Sequence, residues 1–117
     1  MKPIFVAAIF AAQTLAVSPA TAHAFLDHAS PPVGSTVRAP PAEVTLWFTQ
    51  ELEPAFSTVS VSDASGKRVD KRDVKVDGAV ARVSLPTLDP GRYKVVWRAL
   101  SVDTHVTEGD FTFEVVR

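Results

Sequence analysis

The chain has 117 residues, 46% of them hydrophobic, with 12 lysines and arginines against 13 aspartates and glutamates, five glycines and no cysteine. That size fits one small domain, and a net charge of -1 supplies no basic field for phosphate backbones, so no nucleic-acid partner is expected. Without cysteine, disulfide scaffolds and thiolate-held zinc or iron–sulfur centres are excluded, which leaves one methionine and three histidines as soft or borderline metal ligands.

The chain opens with a targeting segment. Lys2 precedes an apolar run from Ile4 to Val17, and small residues follow. A basic start, a short apolar run and an A-x-A site describe a secretory signal peptide. The run is shorter than the roughly 20 residues of a membrane span, so the mature form is expected outside the cytoplasm and not membrane-embedded. Two cleavage sites overlap: cutting after Ala20-Thr21-Ala22 makes His23 the new amino terminus, whereas cutting after Ala22-His23-Ala24 removes it. The first choice leaves 95 of the 117 residues, retains all three histidines and loses the only methionine, Met1.

Beyond this segment apolar residues recur with period two. The strands predicted in order run near Phe25 to Ser30, then through Val44, Leu46 and Phe48, Val59 and Val61, Val74 and Val76, Ala81 to Leu85, Tyr93 to Leu100, and Phe111 to Val115. Ser65-Gly66, Asp77-Gly78 and Asp89-Pro90-Gly91 mark reversals between them. Four prolines, at 31, 32, 40 and 41, bracket an irregular stretch. Tyr93, just inside a strand after a Pro-Gly reversal, matches the tyrosine corner of immunoglobulin-like domains. The pattern predicts an all-β fold: an Ig-like antiparallel Greek-key sandwich or barrel of about seven strands. Both tryptophans, Trp47 and Trp97, are expected in the core or on a sheet face, and the charges from Lys67 to Asp77 on a hairpin surface.

One constellation offers chemistry. If His23 is the amino terminus, its amine and its Nδ1 chelate a metal through a six-membered ring. Asp103 and His105, two apart, project to one side in extended backbone. Three nitrogens and a carboxylate oxygen suit tetragonal Cu(II), whereas Cu(I) favours the sulfur ligands a mature chain without Cys or Met lacks. His28, beside Asp27, reads first as a surface residue, with a partner behind the ligands or an outer ligand as the alternatives, and the acidic loop of Glu51 and Glu53 as solvated. No G-x-S-x-G frames any serine, so hydrolase chemistry has no support.

His23-Ala24-Phe25-Leu26, Ala29 to Ser35, Glu43 to Phe48, Pro90 to Arg98, Ser101-Val102-Asp103-Thr104-His105, Gly109 and Phe111 to Val115 together resemble the CopC family of periplasmic copper-binding proteins. The resemblance implies a signal peptide over 1–22, a copper-binding domain over 23–117, and one Cu(II) held by His23 with its amine, Asp103 and His105. It also implies a periplasmic, non-enzymatic role in copper homeostasis or resistance, exchanging copper with a CopD-like inner-membrane protein; a monomer is expected. Some members carry a Met-rich Cu(I) segment, absent here, so no Cu(I) site is expected. Some also carry a Glu where Gln50 stands, with Glu51 adjacent. Two rival expectations stand beside this one. A terminal-His copper site also serves lytic polysaccharide monooxygenases, although the small size and Asp103 count against that chemistry. A metal-free Ig-like interaction module would be cleaved before Phe25.

Overall fold

The computed structural model describes residues 24–117; the signal segment, its cleavage site and His23 lie outside the described residues. Eight strands follow one another: β1 (Leu26–Ser30), β2 (Thr36–Val37), β3 (Glu43–Phe48), β4 (Thr58–Ser62), β5 (Lys75–Asp77), β6 (Val80–Ser84), β7 (Gly91–Leu100) and β8 (Val106–Val115), with a 3-10 turn at Pro54–Phe56. They form two four-stranded sheets, ordered β1-β3-β6-β5 and β2-β8-β7-β4. Apart from β2, this is the division of strands in constant-type immunoglobulin domains, four against three, with the chain crossing between sheets after β3, β4 and β6.

Inward residues alternate as the period-two pattern requires. Val44, Leu46 and Phe48 of β3 face Val59, Val61, Tyr93, Val95, Trp97, Phe111 and Phe113 of the opposite sheet in one buried cluster. Aromatic pairs fill its middle: Tyr93 stacks on Phe113 at 5.6 Å, and Phe48 meets Trp97 edge-on at 5.1 Å. The Tyr93 hydroxyl donates to the Asp89 carbonyl at 2.6 Å, completing the tyrosine corner. Val95, two residues on, is fully buried where antibody domains place a disulfide cysteine. Gly66 and Gly78 sit at φ +87° and +61°, as their hairpin turns demand.

Four features differ from the sequence pattern. β2, two residues inside the proline-bracketed stretch, pairs parallel with β8, so the second sheet is mixed. β8 begins at Val106, five residues before the expected start at Phe111, because β7 and β8 pair along ten residues each. Asp70 belongs to no solvated hairpin surface: its side chain is fully buried. It accepts from the Val61 and Arg72 amides at 2.8 and 3.0 Å and from Arg68 Nε and Nη2 at 2.8 and 3.0 Å. Finally, a register shift between Leu26 and His28 lets β1 turn His28 outward while Ala29 points in.

Candidate metal centre

The β7–β8 hairpin places Asp103 and His105 in its connecting turn, not in extended backbone. They converge for a reason other than strand alternation. The turn closes through Ser101 N–H donating to the His105 carbonyl at 3.0 Å and Thr104 N–H to the Ser101 carbonyl at 2.9 Å. Thr104 takes φ +75°, the left-handed conformation that lets so short a connection reverse. As a result His105 Nδ1 lies 3.2 Å from Asp103 Oδ1, with the two side chains 50% and 36% exposed.

Ser101 forms the floor of this corner at 1% exposure. Its hydroxyl donates to Asp103 Oδ1 and its oxygen accepts the His105 amide at 3.3 Å. The Ser101 hydroxyl, and then the His105 ring, hold the Asp103 carboxyl below the usual carboxylate range, against the opposing effect of desolvation. An ionised carboxylate beside an imidazole is a donor set that Cu(II) or Zn(II) accepts.

The amino-terminal segment and the β3–β4 loop are laid against the same corner. Ala24 is fully buried, and its carbonyl accepts from Thr107 Oγ1 at 2.5 Å, two residues beyond His105. Phe25 and Thr49 bond in both directions, Phe25 N–H to Thr49 Oγ1 and Thr49 N–H to the Phe25 carbonyl, each at 2.9 Å. Val102 N–H donates to the Glu51 carbonyl at 3.1 Å, and Leu52 bridges Ser101. Gln50 and Glu51 are exposed, and Glu51 meets the turn through its backbone.

Of the expected ligands, Asp103 and His105 are together, and His23 lies outside the described residues. Among the described residues no group of three or more His, Asp or Glu is close enough to hold a metal. His28 is elsewhere, on the outer face of the β1–β3–β6–β5 sheet. Its ring stacks on Trp47 at 4.3 Å with 7° between planes, and Nδ1 sits 2.7 Å from Asp27 Oδ2. The position opposite Trp47 in the register explains the stack. Two grooves, of about 260 Å³ beside Arg38, Leu88 and Val115 and about 470 Å³ beside Ser62, Arg92 and Lys94, include neither Asp103 nor His105. Ser101 is the site residue that sequence reasoning treated only as part of a motif; a serine two before an aspartate carries no signal of its own.

The comparisons agree on a family. The CopC domain profile matches residues 26–116. Copper resistance protein C of Pseudomonas syringae pv. tomato is 34% identical over 116 residues, 92% of this chain and 91% of that protein. Copper transport protein CutJ of Bacillus subtilis is 32% identical over 98 residues, which are 80% of this chain but 18% of CutJ. Among solved structures, CopC from Methylosinus trichosporium OB3b superposes with a TM-score of 0.76 at 37% identity, covering 80% of this chain and 94% of that one. A two-sheet immunoglobulin-like frame, with an Asp-x-His corner at one pole and copper resistance proteins as relatives along nearly its full length, has one consistent assignment: the chain belongs to the CopC family of copper-binding proteins.

Proposed function

We propose that the protein binds one Cu(II) ion per chain in the periplasm through the amine and imidazole of His23, the Asp103 carboxylate and the His105 imidazole, and exchanges it with a CopD-like inner-membrane protein. The observation that carries this reading is the convergence of Asp103 and His105 on a turn to which Ala24 is joined through Thr107. Ala24, the residue that follows His23 in the sequence, lies at this corner, which supports a terminal chelate there. Three nitrogens and one oxygen fill the four strong positions of a tetragonal ion. A catalyst normally keeps a position open, which favours capture and transfer over turnover. With no sulfur ligand after His23, reduction to Cu(I) is expected to weaken binding.

One finding supports exchange at a membrane. The match to a minor part of a copper transport protein, CutJ, supplies a precedent for pairing such a domain with transport machinery.

The test is the intact mass of the exported protein followed by Cu(II) titration against a competing chelator. Cleavage before His23 and tight Cu(II) binding are expected, with affinity lost in His23→Ala and in a protein carrying one extra residue ahead of His23. Cleavage before Phe25, or unchanged affinity in both variants, overturns the terminal chelate.

A further inference from the structure

The Ser101 hydroxyl is buried beneath a carboxylate, that of Asp103, about one-third exposed. A side chain this deep is not needed for solubility, and the turn itself closes through backbone groups: Ser101 N–H to the His105 carbonyl and Thr104 N–H to the Ser101 carbonyl. Alanine would make both of those bonds. What the hydroxyl adds is a direct hold on Asp103 Oδ1 and an acceptor for the His105 amide at 3.3 Å. The His105 carbonyl also lies 3.2 Å from Ser101 Oγ. A hydroxyl has a single proton to donate, and an ionised carboxylate is the stronger acceptor.

Resting on the copper reading given above, we propose that Ser101 is a positioning residue of the metal centre: its hydroxyl engages Oδ1 of Asp103 and presents Oδ2 as the single carboxylate ligand. The terminal torsion of an aspartate is broad and roughly two-fold, so a carboxylate on an exposed turn samples many orientations. A tetragonal ion with three nitrogens already assigned takes one further strong donor. Fixing Oδ1 from below removes the rotational freedom that binding would otherwise have to quench, and it disfavours a bidentate carboxylate. Partners of this kind behind a ligand typically matter by about 10- to 100-fold in metal affinity.

The test uses the exported protein with Cu(II) alone as probe, comparing wild type, Ser101→Ala, Ser101→Thr, Asp103→Asn and the Ser101→Ala/Asp103→Asn double variant. Affinity is read by chelator competition, the coordination sphere by electron paramagnetic resonance, and folding by thermal melts of the metal-free proteins. Ser101→Ala is expected to weaken binding about 10- to 100-fold and to shift the copper spectrum, while Ser101→Thr keeps both near wild type. In the Asp103→Asn background, removing the hydroxyl should cost nothing further. Ser101→Gly makes the same deletion should the alanine protein fail to fold. Wild-type affinity and spectrum in Ser101→Ala overturn the proposal, as does an equal loss in both backgrounds, which would mean that Ser101 acts through the fold. If Asp103→Asn alone leaves affinity unchanged, the copper-site reading itself falls, and the role of Ser101 with it.

Discussion

Asp70 is the one charged residue in the buried set among the described residues. Its replacement by alanine removes four hydrogen bonds at once. The Val61 amide, on a strand whose side chain is fully buried, would be left without an acceptor, at a cost of about 1 to 3 kcal/mol. The Arg72 amide is reachable by water and contributes about 0.5 to 1.5 kcal/mol. Arg68 is one-third exposed, so its pair adds only about 0.2 to 1 kcal/mol. Together these give about 2 to 5 kcal/mol, a large fraction of the 5 to 15 kcal/mol typical of a domain. Asparagine keeps one oxygen for Val61 and should lose about half as much. Burial pushes the Asp70 carboxyl up, but Arg68 and the two amides prevail and hold it below its ordinary value. With the folded value depressed below about 3.9, the contribution is present above that pH and is lost as pH falls through the folded value. Urea melts should therefore show a constant gap between wild type and Asp70→Ala from pH 5 to pH 8 that narrows below about pH 4. A wild-type midpoint at pH 7, or a gap undiminished at pH 2, would refute the assignment.

Three further outcomes follow from the packing. A β-carbon at Gly109 would stand 2.5 Å from Trp97 Cζ2, so Gly109→Ala should cost about 1 to 3 kcal/mol and displace the indole, visible as an altered tryptophan emission; unchanged emission and melting would contradict that packing. Tyr93→Phe deletes the hydroxyl bond to Asp89 and should lower the unfolding free energy by about 1 to 2 kcal/mol without changing copper affinity. Thr107→Val releases the Ala24 carbonyl. Losing one net hydrogen bond of about 1 kcal/mol should speed amide exchange at Phe25 and weaken Cu(II) binding about five-fold, and equal affinity would show that the tie does not serve the metal.

Much of this frame was legible before any coordinates, because inward apolar residues, glycine turns and the Pro-Gly-Arg-Tyr corner are local signals with local causes. What escaped notice depends on distant partners. Thr36 and Val37 show no alternation and are a strand only because Glu114 and Val115 run beside them. Gly109 weakens the strand signal of 106–110, yet its missing side chain is filled by the Trp97 ring opposite. Asp70 sits in a run of charges from Lys67 to Asp77, where nothing in composition separates a buried carboxylate from solvated ones. At the site, the pairing of Asp103 with His105 was expected and is present, but through a turn that has a threonine at positive φ instead of a glycine. Such a turn announces itself in no residue pattern.

The long β7–β8 hairpin also sets a distance. Ten paired residues, nine steps of about 3.4 Å, separate the Leu100–Val106 pole, where the Asp-x-His corner lies, from the Gly91–Val115 pole, where β8 ends. A polypeptide continuing past β8 would leave about 30 Å from Asp103 and His105. Attachment at that pole, to a surface or to a larger protein, would leave the Asp-x-His corner at the far end, facing outward and accessible.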